Sequence, residues 1–157
     1  FEYPPDFIKD KTLVLTTTNG TRLLHMALSS GAAGIITGSF PNLSAVCDCL
    51  VQQGKPVILG CAAWKDRVNI EDTLFAGAVI NRIKQHFSIQ CDSSSMAESL
   101  FLEAGDDRFA FMQSKNASHY HRLTGYGLDK DIRYCLTADL ANVSCVFDNG
   151  MLTCGTV

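Results

Sequence analysis

Several familiar features are missing from this sequence, and each absence excludes something. No apolar run approaches the ~20 residues a helix needs to cross a bilayer. No basic-then-apolar opening with a small-residue cleavage site is present, so no secretory signal is expected. Charged residues make up only 18% and the formal net charge is -3. The basic residues are scattered, so neither a nucleic-acid surface nor a membrane-binding one is expected. The cysteines number seven and form no C-x-x-C pair. Buried free thiols in a reducing cytoplasm are the expectation, not a disulfide framework. The P-loop pattern, the G-x-G-x-x-G fingerprint and the G-x-S-x-G elbow are all absent, which removes three common routes to nucleotide binding or ester hydrolysis.

What is present suits a globular chain. With 157 residues and 46% apolar content, one domain over 1–157 can bury a core. Thr12–Thr17 ("TLVLTT") is read as a strand with little alternation, hence buried on both faces. Thr21–Ser30 follows with helical spacing and stops at Gly31. Ala33–Phe40 is a second β-rich run. Leu43, Val46, Cys47, Leu50 and Val51 then mark an amphipathic helix ended by Gly54. Pro56–Ala63 is the third expected strand. Phe75, Val79, Ile83 and Phe87 mark a third helix, with Asn69 as its cap and Glu71 and Asp72 in its first turn. This β-α-β-α-β-α alternation predicts a three-layer α/β/α fold with a mostly parallel sheet. Further on, Ser93–Ala104 and Asp129–Ala138 look helical, with a polar, mixed stretch between them. A β-hairpin turning at Asn149–Gly150 closes the chain.

In such a sheet, ligands sit beyond the carboxyl ends of the strands. The first end carries Thr17, Thr18, Asn19, Gly20, Thr21 and Arg22; the second Gly38, Ser39 and Asn42; the third Cys61, Lys65, Asp66, Asn69, Glu71 and Asp72. Asn19, Ser39 and the loop after Cys61 are therefore expected on one rim. Asn-Gly-Thr opening a helix offers backbone N–H groups to a phosphate, and Arg22 could clamp it. Simple capping by Thr18 or Asn19 is the alternative. Glu71 and Asp72 could hold Mg2+, a hard cation satisfied by one or two carboxylates plus water and phosphate, or they could only complement a helix dipole. His119 and His121 stand two apart with no third zinc ligand spaced for them; one could contact phosphate or donate a proton.

The stretches "KTLVLTTTNGTR", "GSFPNLSAV" and "NIEDTLFAGAVI" after "CAA", with the softer "SHYHRL" and "GLDKDIRYCLTAD", resemble the 2-phosphosulfolactate phosphatase family. The resemblance implies a cytoplasmic, Mg2+-dependent hydrolase that releases phosphate from 2-phospho-3-sulfolactate on the way to coenzyme M. Read with the strand-end argument, it gives catalytic roles to Arg22, Ser39 and His119, with Ser39 orienting the substrate. It places Thr18, Asn19, Gly20, Thr21, Asn42 and Arg122 on the substrate, and Asp72 and Glu71 on the metal. The partner implied is a small anionic phosphoester; a homo-oligomer is left open. The family carries an additional N-terminal portion, so the chain is read as the larger, C-terminal part of a longer phosphatase. "AAWKDRV" stands where the family has a Gly-rich linker. The competing reading is an anion-binding module without catalysis of its own.

Overall fold

The third helix of the sequence reading carries the deepest part of the core. In the computed structural model, which describes residues 3–154, α4 spans Ile70–Ile83 and buries Leu74, Ala76, Gly77, Ala78, Val79, Ile80 and Ile83. Leu74 and Val79 are 0% exposed. Burying a side chain of this size contributes roughly 1.5–3 kcal/mol. The helix α5, Asp92–Ala104, packs along α4. Their backbones meet at Gly77, where any Cβ would run into the Ala97 carbonyl. Glycine is required there by close approach, at a cost in helix propensity of about 1 kcal/mol.

Before α4 come α1 (Pro5–Ile8), α2 (Gly20–Ser29) and α3 (Leu43–Gln53). The last buries Leu43, Val46, Cys47 and Cys49. It ends as its sequence requires: Gly54 adopts a left-handed φ of 58° and donates its N–H to the Leu50 carbonyl. After α5, the polar, mixed stretch folds into α6 (Arg108–Ser114) and α7 (Ser118–Thr124), and α8 spans Asp129–Leu136. Phe111, Met112, Tyr120, Ile132 and Leu136 from these helices join the same core as Leu74 and Val79. The hydrophobic spacing gave no hint of α6 and α7, because each is short and anchored by only one or two buried side chains.

The sheet overturns the expected fold class. Among the described residues it has three strands, β1 (Ile36–Thr37), β2 (Cys145–Asp148) and β3 (Met151–Cys154), in the order β1-β2-β3 and antiparallel throughout. The fold is helix-rich with a small antiparallel sheet, not a three-layer α/β/α with a mostly parallel one. Thr12–Thr17 and Pro56–Ala63 enter no strand ladder. Val14 is 89% exposed and Ile58 is 95% exposed. Parallel strands need neighbours along their edges and cover on both faces, and neither segment has them. The second β-rich run contributes only Ile36–Thr37, and its partner is the C-terminal hairpin. That hairpin turns where Asn149–Gly150 placed it. Both residues have positive φ, 47° and 84°, as a two-residue turn matched to the strand twist demands.

No helix among the described residues is long and apolar enough to cross a membrane. All seven cysteines are free thiols. Burial holds the Cys47 thiol up to about 11, well above its ordinary range.

Candidate functional site

The loop between Cys61 and Asn69 gathers most of the residues singled out above. Trp64 and Arg67 exchange two backbone hydrogen bonds of 3.1 Å each. The two residues between them, Lys65 and Asp66, have φ of 52° and 57°, and Ala63 just before has φ of 61°. Three non-glycine residues thus occupy the left-handed region. Each costs about 1–2 kcal/mol relative to glycine, and such outliers persist only where surrounding contacts impose them.

The surrounding contacts come from the predicted site residues. The Asn19 side chain donates to the Ala63 carbonyl at 2.7 Å. The Asp72 carboxylate accepts the Ala63 N–H at 2.8 Å. Arg22 pairs with Asp66 at 2.8 Å, although both side chains are largely exposed, and such a pair is worth about 0–1 kcal/mol. The start of α2, the loop and the first turn of α4 therefore meet. Asn19 sits at the cap position of α2 but makes no capping bond. Thr17 does that work: its hydroxyl oxygen accepts the Thr21 N–H at 2.9 Å. Gly20 opens α2, and an added Cβ there would lie 2.9 Å from the Thr17 hydroxyl. Thr18 is exposed beside them. Asn69, likewise at a cap position, makes no side-chain capping bond; its carbonyl accepts from the Thr73 hydroxyl instead.

Glu71 and His119 join across α4 and α7, through Glu71 Oε1 and His119 Nδ1. Arg122, one turn further along α7, reaches His119 Nε2 at 2.6 Å. A guanidinium can only donate, so Nε2 accepts, and the neutral ring carries its proton on Nδ1, donating to Glu71. Trp64 completes the group. Its indole stacks on the His119 ring with centroids 5.9 Å apart. The Arg122 guanidinium lies 4.7 Å from an indole ring centroid, and the Lys65 ammonium 4.4 Å. Sequence reasoning passed over Trp64, the only tryptophan in the chain. The available signal was its place in the loop immediately ahead of Glu71 and Asp72.

Ser39 and Asn42 are arranged differently. They form a reciprocal capping box at the short 3-10 turn Phe40–Asn42, and the buried Asn42 amide donates to the Val143 carbonyl at 3.0 Å. Their bonds tie them to Thr37 of β1 and to Val143 just ahead of β2, whereas Asn19 bonds directly to the loop.

Two carboxylates could serve a metal. Glu71 Oε2 is buried with no hydrogen-bond partner, an arrangement costly for a carboxylate unless a cation or water meets it. Asp72 retains one oxygen beyond the one that accepts Ala63 N–H. Among the described residues no cluster of three or more His, Cys, Asp or Glu is gathered to hold a metal ion. A hard cation here would take its other ligands from water and substrate, as Mg2+ commonly does. Cys61 is surface-exposed, yet desolvation by the atoms packed around it, with the Asp72 charge adding to it, holds its thiol above the ordinary range, which disfavours the thiolate a nucleophile needs.

A family model described as 2-phosphosulpholactate phosphatase matches residues 1–150. The chain belongs to this family. Curated relatives carry the name "Probable 2-phosphosulfolactate phosphatase". The one from Thermotoga petrophila is 37% identical over 96% of this chain and 63% of its own length. That from Caldanaerobacter subterraneus is 33% identical over 96% of this chain and 61% of its own. That from a Synechococcus strain is 35% identical over 92% and 59%. The chain thus spans about three-fifths of the length of these family members.

Proposed function

We propose that this chain carries the phosphate-handling part of a Mg2+-dependent phosphatase, acting in the cytoplasm on 2-phospho-3-sulfolactate or a closely related small phosphoester. The products would be 3-sulfolactate and phosphate, on a route toward coenzyme M. Family membership supports the reaction class. The observation that carries the site is the chain Glu71–His119–Arg122 beside a buried, unpartnered carboxylate oxygen.

Each residue has a role its surroundings suit. Arg122, oriented by His119, offers its remaining N–H groups to the oxyanion, where charge-assisted bonds are strongest. His119 transmits the Glu71 charge to Arg122, and its Nε2 is the basic atom at the site if Arg122 moves onto substrate. Asn19 and Asp72 fix the loop by holding both polar atoms of Ala63. Arg22 can leave its exposed partner Asp66 for an incoming phosphate. Glu71 Oε2, with the free oxygen of Asp72, would hold Mg2+. When bound, the metal would polarise the phosphoryl oxygen and lower the pKa of a water. The amides of Gly20 and Thr21 and the hydroxyl of Thr18 border the same end of α2.

The cations Arg22, Lys65 and Arg122, with the start of α2, also suit one other reading, an anion-binding module that lacks turnover by itself. Phosphate release from 2-phospho-3-sulfolactate, measured with Mg2+ and again after chelation, separates the two. Release that requires Mg2+ supports the phosphatase. Saturable phosphate binding without release under either condition supports the module.

A further inference from the structure

The group around Trp64 contains more positive charge than its internal bonds explain. Arg122 and Lys65 both lie within 5 Å of rings of one indole. Each is attracted by the face of the ring system, and the anion joined to the group is Glu71, which reaches Arg122 through His119. Of the two cations, only Arg122 has a polar side-chain partner among the described residues, the accepting Nε2 of His119. The loop that delivers Trp64 holds three left-handed non-glycine residues, so its geometry is imposed and not merely tolerated. Both of its polar anchors, Asn19 and Asp72, converge on Ala63, the residue preceding Trp64. The effect is to fix one aromatic ring against one imidazole and two cationic side chains.

We propose that Trp64 is the positioning residue of this site, an aromatic platform that keeps His119 in a single tautomer and aims Arg122 and Lys65 at a tetrahedral oxyanion. This deepens the phosphatase reading and rests on it for the class of ligand. The shared chemistry is three or more oxygens around phosphorus or sulfur. It belongs equally to the phosphoryl group and to the sulfonate of the substrate. Stacking the planar guanidinium on the indole leaves its edge N–H groups free for such oxygens. An aliphatic side chain could fill the space but could not hold the cations.

The test compares the unmodified chain with Trp64→Phe and Trp64→Leu. Nitrogen-detected NMR of the imidazoles reads the His119 tautomer without any ligand. The same signals then follow separate titrations with inorganic phosphate and with methanesulfonate. In the unmodified protein His119 should carry its proton on Nδ1, and at least one anion should shift its signals. Trp64→Phe keeps an aromatic face and should keep the tautomer, with affinity within about threefold. Trp64→Leu should mix the tautomers and weaken anion binding roughly tenfold, a loss of the size expected for a desolvated cation–π contact. Whichever anion loses more affinity is the group this platform holds.

A Trp64→Leu protein with an unchanged tautomer and unchanged affinities would overturn the proposal. If the leucine variant does not fold, Trp64→Met takes its place under the same criteria. If neither anion binds the unmodified protein, the ligand assignment falls with the phosphatase reading. The tautomer comparison still decides whether Trp64 positions His119.

Discussion

The helix α4 and the two extended segments Thr12–Thr17 and Pro56–Ala63 are all rich in apolar residues and meet opposite fates. Leu74 and Val79 are fully buried, while Val14 and Ile58 are almost fully exposed. The difference lies in where each element finds its hydrogen bonds. A helix satisfies its backbone within itself, so an amphipathic stripe needs only one apolar neighbour. A strand buried on both faces needs partner strands and two covering layers, all distant in sequence. Local pattern therefore identified the helices, whereas burial of the strands depended on partners that their own residues do not specify.

The sharpest way to break this contrast is to truncate one side chain in each region. Leu74→Ala should lower unfolding free energy by about 2–5 kcal/mol, through lost burial and the cavity left behind. Ile58→Ala should change it by less than about 0.5 kcal/mol, as for an exposed site. Denaturant titration of both variants measures the gap. Equal losses would show that Ile58 is covered in solution.

The site adds a finer contrast between residues that hold charge and residues that hold backbone. Glu71→Gln keeps the shape but removes the charge facing His119 and Arg122, and should cost about 1.5–3 kcal/mol. It should also raise the Mg2+ concentration needed for half-maximal phosphate release. An unchanged metal titration would remove Glu71 as a ligand. Ala63→Gly acts in the opposite direction. Relieving a left-handed alanine should stabilise the fold by up to about 1 kcal/mol, the strain relieved less the extra freedom of the unfolded chain. A thermal melt checks it, and a lower melting temperature would contradict it.

The smallest expected effect is on pH dependence. Hydrogen bonding from Ser44, aided by the nearby Arg82, holds the Asp139 carboxyl below its ordinary value of 3.8. A depressed folded-state pKa adds stability that is complete above the unfolded value and fades as pH falls below 3.8 toward the folded one. Asp139→Asn should flatten that part of the acid-unfolding curve by removing stability that the carboxylate supplies above 3.8, so the variant should be slightly less stable at neutral pH and match the unmodified protein at the acid end. An identical acid curve would show that the Ser44 bond contributes nothing there.

Much of the candidate site was legible because its chemistry is local. Asn19, Arg22, Glu71 and Asp72 lie at helix starts, where short polar residues and carboxylates signal themselves. That Asn19 and the Cys61–Asn69 loop meet was also foreseeable, although the shared parallel sheet invoked to bring them together is not formed. Instead, direct bonds to Ala63 do so. Ser39 and Asn42 illustrate the limit. Nothing in their own sequence reveals that Val143 would supply the carbonyl for the Asn42 amide. Trp64 was invisible for a related reason: its importance comes from α7, more than fifty positions away, which brings His119 and Arg122 onto its ring.

Phosphate release from 2-phospho-3-sulfolactate by the unmodified chain and by His119→Ala, both in saturating Mg2+, tests the functional reading most directly. If Glu71, His119 and Arg122 work as one unit at the reacting phosphoryl group, release by the unmodified chain should exceed release by the variant by about 100-fold or more, with the two folds indistinguishable by circular dichroism. Equal release from both would contradict it, and would leave the Glu71–His119–Arg122 group as a structural tie between α4 and α7.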